Sequence, residues 1–228
     1  MNRRPTSTQN LELDALSMGY DLKKRSELHL ARKLWHMSAV GLMAAIYAFS
    51  PERISLSILA VSWLICVPLD IFRHFYPSLN ELMVHLFRPL LRDSELNKVS
   101  GTSYLLTGVA IVAFIFQREV VLLTLLFLAF ADPIASYFGI KFGKDKLFGH
   151  KSLQGTLAAF FVCAILSFAF LYAHNILMDR WVIVSLLAGL IGALAELVPI
   201  FKLDDNLTLP ILSSTFLWVL FSLFGVLS

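Results

Sequence analysis

The stretch Ala131–Thr156, ADPIASYFGIKFGKDKLFGHKSLQGT, joins two long apolar segments through an acid, a proline and a loop rich in glycine and lysine. The apolar run Val120–Ala131 ends abruptly at Asp132 and Pro133. A carboxylate inside a membrane helix costs about 2.5–3.5 kcal/mol on insertion scales, so such a residue usually has a function. The stretch therefore predicts a helical membrane protein with a polar, phosphate-binding site at the end of one span.

The composition supports this class. The chain has 228 residues, of which 57% are hydrophobic and 15% are charged, whereas soluble domains carry about 25% charged residues. We expect an all-α, polytopic transmembrane bundle that forms a single catalytic domain over residues 28–228, after a polar, basic segment over residues 1–27. That segment lacks the apolar core of a cleaved signal peptide. Cys66 and Cys163 lie in apolar runs, which indicates core residues and no disulfide or metal site.

The apolar segments predict about seven membrane spans. They are approximately Leu34–Phe49, Ile54–Phe72, Thr102–Phe116, Val120–Phe138, Leu153–Ala173, Trp181–Ile200 and Leu209–Leu227. Between the second and third spans, Ser78–Lys98 has leucines at helical spacing and polar residues elsewhere. This pattern indicates an amphipathic helix on the cytosolic leaflet, with an ordinary helical connector as the alternative.

The distribution of positive charge predicts the topology. The chain has 19 lysines and arginines, and all except Arg53, Arg118 and Arg180 lie before the first span or in the connections after spans two, four and six. Cytosolic loops are enriched in these residues. We therefore expect the N-terminus and the polar connections to be cytosolic, and the lipid bilayer to be the main partner, with no nucleic acid.

Two polar clusters occur at the starts of the first and third spans. Arg32 and His36 are four residues apart and share a helix face, and with Lys33 they could contact a phosphate chain. The alternative for Arg32 and Lys33 is a simple cytosolic anchor. The second cluster is Gly101-Thr102-Ser103-Tyr104, whose small residues predict close helix packing or backbone room for a ligand.

The loop after span four forms the third cluster. Asp132 and Ser136 lie one turn apart on one face, and Pro133 frees a backbone carbonyl and bends the helix there. Glycines let backbone N–H groups approach phosphate oxygens, and the unpaired N–H groups at a helix start favour an anion. The candidate phosphate-binding residues are Ser136, Gly139, Gly143, Lys151, Ser152, Gly155 and Thr156.

The fourth cluster consists of Glu196, Asp204 and Asp205 near the start of the last span. Ala188, Gly192 and Glu196 recur every four residues, so the small residues predict a close helix contact with the carboxylate at its end. Paired carboxylates that face a phosphate loop supply the hard oxygen ligands of Mg²⁺. A solvated acidic turn is the alternative for the two aspartates.

The chain has no Walker A motif, no G-x-G-x-x-G and no protein-kinase catalytic loop. Its motifs instead resemble those of the CTP-dependent lipid kinases, which include dolichol and polyprenol kinase, phytol kinase and the fungal-type diacylglycerol kinase, and which are related to phosphatidate cytidylyltransferases. The resemblance covers nearly all of the chain after Leu28. The motifs are Arg32-Lys33-x-x-His36, Gly101-x-Ser103-Tyr104, Asp132-x-x-Ala135-Ser136-x-x-Gly139-x-x-x-Gly143, Lys151-Ser152-x-x-Gly155-Thr156 and Asp205-Asn206-x-x-x-Pro210.

The resemblance implies transfer of the γ-phosphoryl group of CTP to a membrane lipid alcohol, with Mg²⁺ as cofactor. It assigns Asp132 and Asp205, with Glu196 or Asp204, to the metal ion. We expect the loop glycines and Lys151 to hold the phosphates, and Arg32 and Lys33 to neutralise the developing charge. A base for the lipid hydroxyl is not identifiable from the sequence, and His36 and Asp204 are the candidates. Gln154 stands where the family commonly has an acid, which leaves metal coordination or hydrogen bonding open at that position.

Two alternatives remain from the sequence. A cytidylyltransferase would use the same parts to attack the α-phosphorus of CTP and form a CDP-lipid. A membrane transporter or scaffold without catalytic activity would need polar residues deep in several spans, and the predicted spans are almost devoid of them.

Overall fold

The computed structural model describes residues 30–87, 90–91, 95–96, 98–198, 200 and 203–227. The helices are α1 (Leu30–Phe49), α2 (Glu52–Phe72), α3 (Pro77–Phe87), α4 (Gly101–Ile115), α5 (Arg118–Leu126), α6 (Asp132–Lys141), α7 (Leu153–Ala173), α8 (Trp181–Leu197) and α9 (Asp205–Leu223). A π-helical turn, Phe127–Ala131, joins α5 to α6 without a break. The antiparallel strands β1 (Lys146–Phe148) and β2 (Lys151–Ser152) form a small hairpin before α7. The predicted all-α class is confirmed.

Each of the seven predicted apolar segments overlaps a described helix, and Val120–Phe138 covers most of α5, the π-turn and part of α6. In the described part of the chain, four helices are long and apolar enough to cross a membrane: Glu52–Phe72, Arg118–Lys141, Leu153–Ala173 and Asp205–Leu223. Helices α4 and α8 are apolar but shorter. These helices are consistent with an integral membrane protein.

The outer surface of the bundle is apolar. Leu64, Phe161 and Ile165 are each about 60% exposed, and many other large hydrophobic side chains share this exposure. Water-soluble monomers rarely expose continuous apolar patches of this kind. The outer surface therefore fits a lipid environment.

The long helix from Arg118 to Lys141 lies in the middle of the bundle. Its residues Val120, Leu123 and Phe127 are completely buried, and it packs against α1, α7 and α9. A helix that is hydrophobic on all sides is expected to lie inside a bundle. Asp132 therefore lies on a helix that is anchored in the core and that reaches one end of the molecule.

Helices α7 and α8 pack along the predicted seam of small residues. A β-carbon at Gly189 would lie 2.8 Å from the Cβ of Ala164, and one at Gly192 would collide with Cys163. Only glycine permits the two backbones to come this close. Because the seam ends at Glu196, this packing fixes the position of that carboxylate.

Two predicted segments differ from the structure or lie beyond it. Helix α3 ends at Phe87, so it is shorter than the predicted helix Ser78–Lys98. The sequence has Pro89 two residues further on, and a proline disfavours the helical conformation of the residue before it. The N-terminal segment 1–27 lies outside the described residues.

Candidate active site

Polar side chains from separate parts of the chain meet at one end of the bundle. Lys151 of the hairpin contacts Glu196 at the end of α8 and Asp205 at the start of α9. On the neighbouring α1, Lys33 contacts Ser136 and His36 lies near Asp132. The structure thus brings together the first, third and fourth clusters defined in the sequence.

Lys151 is the centre of the acidic group. Its Nζ lies 2.6 Å from Oε1 of Glu196 and 3.1 Å from Oδ2 of Asp205. The side chain of Glu196 is only 4% exposed, against 20% for Lys151 and 25% for Asp205. One ammonium group therefore ties the hairpin to α8 and α9.

The environment of Lys151 keeps its side chain charged. Burial alone would lower the pKa of Lys151, but the carboxylates of Glu196, Asp205 and Asp132 outweigh burial and raise it. The amine is consequently an ammonium ion throughout the neutral range. Three carboxylates around one ammonium leave the group with an excess of negative charge.

The donor set suits a hard divalent cation. Mg²⁺ usually takes one or two protein carboxylates together with the phosphates of its substrate, and the oxygen atoms of Glu196 and Asp205 are already drawn to one positive group. Among the described residues, no three His, Cys, Asp or Glu side chains form a group that could hold a metal ion. Asp132, Glu196 and Asp205 remain predicted ligands, and any ion there would need the nucleotide phosphates.

The π-helical turn explains the contact made by His36. In a π-helix each carbonyl accepts from the residue five positions on, and for Leu128 that residue is Pro133, which has no N–H. His36 Nε2 lies 2.9 Å from the Leu128 carbonyl oxygen, so this nitrogen donates its hydrogen there. The same ring nitrogen is 4.0 Å from Oδ2 of Asp132. Pro133 indicated a freed carbonyl in the sequence, but no sequence signal indicated the π-turn.

Lys33 lies against the first turn of α6. Its ammonium donates to Oγ of Ser136 and, at 3.4 Å, to the carbonyl oxygen of Pro133. These contacts place a positive charge next to the turn that carries Asp132. Lys33 of the first cluster and Ser136 of the third are therefore neighbours.

Arg32 has a partner that the sequence did not indicate. Both terminal nitrogens of its guanidinium donate to Glu95, at 2.7 and 2.8 Å, and one also donates to the Leu90 carbonyl at 2.7 Å. Glu95 is 7% exposed and also accepts from the backbone N–H of Gly101 at 3.1 Å. In this structure Arg32 thus joins α1 to the connection before α4, while its predicted role at the phosphates stays a prediction.

A second buried network holds that connection in place. Arg73, which is only 2% exposed, donates to Oδ1 of Asp70 and to the carbonyl oxygens of Glu95 and Lys98. Ser103 donates to the other oxygen of Asp70 at 2.6 Å. Nothing in the sequence singled out Asp70, Arg73 or Glu95, because single charges in a polar connection carry no pattern.

The glycines of the third cluster lie at a tight helix contact. A β-carbon on Gly155 would be 2.8 Å from the Ala135 carbonyl oxygen and 3.3 Å from the Gly139 Cα. One on Gly143 would overlap the Gly139 carbonyl oxygen. The close packing of α6, α7 and the hairpin is therefore a sufficient reason for glycine at these positions. Their contact with phosphates stays a prediction.

Gln154 braces the loop. Its Oε1 accepts from the backbone N–H groups of Lys144 and Asp145, at 3.2 and 3.4 Å, and its Nε2 donates to Asp145 Oδ2 at 2.7 Å. This favours hydrogen bonding over metal coordination at the position where the family commonly has an acid. An open cavity of about 470 Å³ adjoins this loop. It is lined by Ile140, Lys141, Phe142, Gly143, Lys144 and Gln154.

The remaining candidates lie at helix starts. Ser152 caps α7 by accepting from the Gly155 N–H at 3.3 Å, and Asp204 caps α9 by accepting from the Asn206 N–H at 3.0 Å. Capping satisfies N–H groups that a helix leaves unpaired. The hydroxyl of Thr156 is buried and has no hydrogen-bond partner among the described residues.

Comparison with known proteins gives three fungal relatives, each named CTP-dependent diacylglycerol kinase 1. The chain is 34% identical over 163 residues to the Schizosaccharomyces pombe protein, an alignment that covers 66% of this chain and 74% of that protein. It is 30% identical to the Eremothecium gossypii protein (82% of this chain, 65% of the relative) and 30% identical to that of Saccharomyces cerevisiae (70% and 61%). The alignments thus span somewhat less than two thirds of these last two relatives.

No family model and no solved structure matches the chain. The identity to the first fungal relative extends over about three quarters of that protein, and it agrees with the motif resemblance. The chain belongs to the family of CTP-dependent lipid kinases.

Proposed function

We propose that this protein transfers the γ-phosphoryl group of CTP to the hydroxyl of diacylglycerol and forms phosphatidate. The observation that carries the proposal is the similarity to three proteins named CTP-dependent diacylglycerol kinase, over 66 to 82% of this chain. Their names support CTP as donor and favour diacylglycerol over polyprenol, dolichol or phytol as acceptor.

Positively charged side chains would orient the nucleotide. Lys33 donates to Ser136, one turn after Asp132, and Lys151 is paired with Glu196 and is influenced by the charge of Asp132. Phosphoryl transfer asks little covalent work of a protein, because positioning and charge neutralisation supply most of the catalysis. Two lysines beside one carboxylate match that requirement.

The acids would hold Mg²⁺ together with the CTP phosphates. Asp132 and Asp205 are the more exposed carboxylates of the group, with 21% and 25% exposure, so they can reach a bound nucleotide. Glu196 lies deeper, at 4% exposure. When bound, the ion would neutralise charge on the transferred phosphoryl group.

Each predicted base has one atom engaged in support of the structure. His36 uses Nε2 to donate to the Leu128 carbonyl, and Asp204 uses Oδ1 to cap α9. We therefore assign His36 to the support of the turn that carries Asp132. Asp204 is assigned to the support of the helix that carries Asp205.

The site would face the cytosol at the membrane surface. The proposal keeps seven spans, a single catalytic domain over residues 28–228, a cytosolic N-terminus and α3 on the cytosolic leaflet. The clustering of positive charge on one side of the predicted spans supports this orientation. The acceptor would then place its acyl chains along the apolar surface and its hydroxyl at the polar end of the bundle.

A donor and acceptor panel tests the proposal. The purified protein with Mg²⁺ is given CTP, ATP or GTP, and diacylglycerol, dolichol, polyprenol or phytol at equal mole fractions in mixed micelles. We expect phosphatidate from CTP and diacylglycerol, and little product from the other pairs. Phosphorylation of a prenol in place of diacylglycerol would overturn the acceptor assignment, and the lack of any phosphorylated lipid would overturn the function.

A further inference from the structure

Lys151 and its two acidic partners have conflicting roles in the proposed function. The lysine is assigned to the phosphates, and Glu196 and Asp205 are assigned to a metal ion. In the structure the Lys151 ammonium instead pairs with Glu196 at 2.6 Å and with Asp205 at 3.1 Å. These ion pairs occupy one oxygen of each carboxylate and the ammonium that would contact the phosphates, so they compete with the metal ion and the nucleotide.

The ion pairs stabilise the acidic group in the protein without ligand. Glu196 is nearly buried, and a buried carboxylate that loses its partner is strongly destabilising. The neighbouring carboxylates of Asp205 and Asp132 would add repulsion. An ammonium ion between them therefore serves as the cation that this group requires.

We propose that Lys151 is a placeholder cation, which holds Glu196 and Asp205 until CTP and a divalent metal ion arrive together. The ammonium then exchanges its carboxylates for CTP phosphates, and the metal ion takes over the carboxylates. The inference rests on the proposed function, since it concerns the donor and ion of that reaction. It adds that neither ligand binds well without the other.

The position of Lys151 permits the exchange. Its side chain is long and flexible and is 20% exposed, so part of it is open to an incoming ligand although the ammonium is paired with both carboxylates. Strand β2 has two residues and follows an exposed turn at Gly149, whose φ of +53° suits glycine. The ammonium can therefore turn toward a ligand without moving α8 or α9.

Coupling of this kind is reciprocal. If occupancy of the carboxylates by Lys151 opposes the metal ion, CTP must strengthen metal binding by the factor by which the metal strengthens CTP binding. Coupling factors in proteins are typically about 5–150-fold. We expect a factor in this range for the wild-type protein.

Binding of Mn²⁺, followed by electron paramagnetic resonance, tests the exchange without an activity assay. We expect weak Mn²⁺ binding by the wild-type protein alone and much tighter binding with CTP. Lys151→Met should bind Mn²⁺ without CTP at least about fivefold more tightly than wild type. Lys151→Arg keeps a cation, and Lys146→Met removes an exposed lysine of the same hairpin, so both should bind Mn²⁺ without CTP as weakly as wild type.

A second variant covers the case in which Lys151→Met does not fold. Glu196→Gln weakens the hold on the ammonium, so it should bind CTP without metal more tightly than wild type in a calorimetric titration. Equal Mn²⁺ affinity of wild type and Lys151→Met, or unchanged metal-free CTP affinity of Glu196→Gln, would overturn the inference. If the wild-type protein still phosphorylates diacylglycerol, the proposed function survives that result. A wild-type protein without lipid kinase activity would instead refute the function itself.

Discussion

Gly155→Ala should destabilise the contact between α6 and α7 that holds the hairpin in place. The new β-carbon would lie 2.8 Å from the Ala135 carbonyl oxygen and 3.3 Å from the Gly139 Cα, both of which are backbone atoms. Relief therefore requires the helices to separate, and overpacking of this kind costs about 1–3 kcal/mol. Alanine also improves helix propensity by about 0.5–1 kcal/mol, so the net loss is about 0–2.5 kcal/mol.

Gly41→Ala is the matched control, because Gly41 lies within α1 and, in the described part of the chain, no atom beyond its own helix backbone lies within 4 Å of the position of an added β-carbon. It gains the same propensity without a clash, so the difference in stability between the two variants measures the clash alone. Thermal unfolding in detergent, followed by tryptophan fluorescence, reports it. At about 2–4 °C per kcal/mol, the Gly155→Ala protein should melt about 2–12 °C below the Gly41→Ala protein. Equal melting temperatures would refute the packing argument.

Three further substitutions address the site. Asp132→Asn should abolish lipid phosphorylation and leave the melting temperature near that of wild type, because the nearest described ionic partner of Asp132 is His36 at 4.0 Å; a fully active variant would exclude the metal role. Glu95→Gln should lower stability by about 1.5–3 kcal/mol, since it leaves the Arg32 charge without its bidentate carboxylate; an unchanged melting temperature would show that the pair contributes nothing. Gln154→Glu should raise the KM for CTP in initial-rate assays, because it replaces the hydrogen bond donated to Asp145 by repulsion between two carboxylates. An unaltered KM would show that the contacts of Gln154 in the loop do not contribute to nucleotide binding.

The positions of the helices followed from the sequence, because long apolar segments and the residues that end them are local signals. The gathering of Lys151, Glu196 and Asp205 at one end also followed, since the charge distribution placed all three on one side of the membrane. Their pairing with one another did not follow. Ion pairs between distant segments depend on side-chain geometry, which a single sequence does not reveal.

The π-turn and the partner of Arg32 were missed for related reasons. Pro133 signalled a freed carbonyl, but a proline in this position fits an ordinary kink as well as a π-turn. Glu95 lies 63 residues from Arg32 in the chain, and no periodic pattern connects them. The predicted length of α3 was wrong because the prediction gave the pattern of leucines more weight than Pro89.

The position of the transferred phosphorus is the most direct test of the central claim. The protein is incubated with diacylglycerol, Mg²⁺ and CTP that carries ³²P at either the α or the γ position, and the lipid product is separated and counted. A CTP-dependent lipid kinase predicts label in phosphatidate from γ-labelled CTP alone, with CDP as the second product. Label in the lipid from α-labelled CTP, with release of pyrophosphate, would contradict the account.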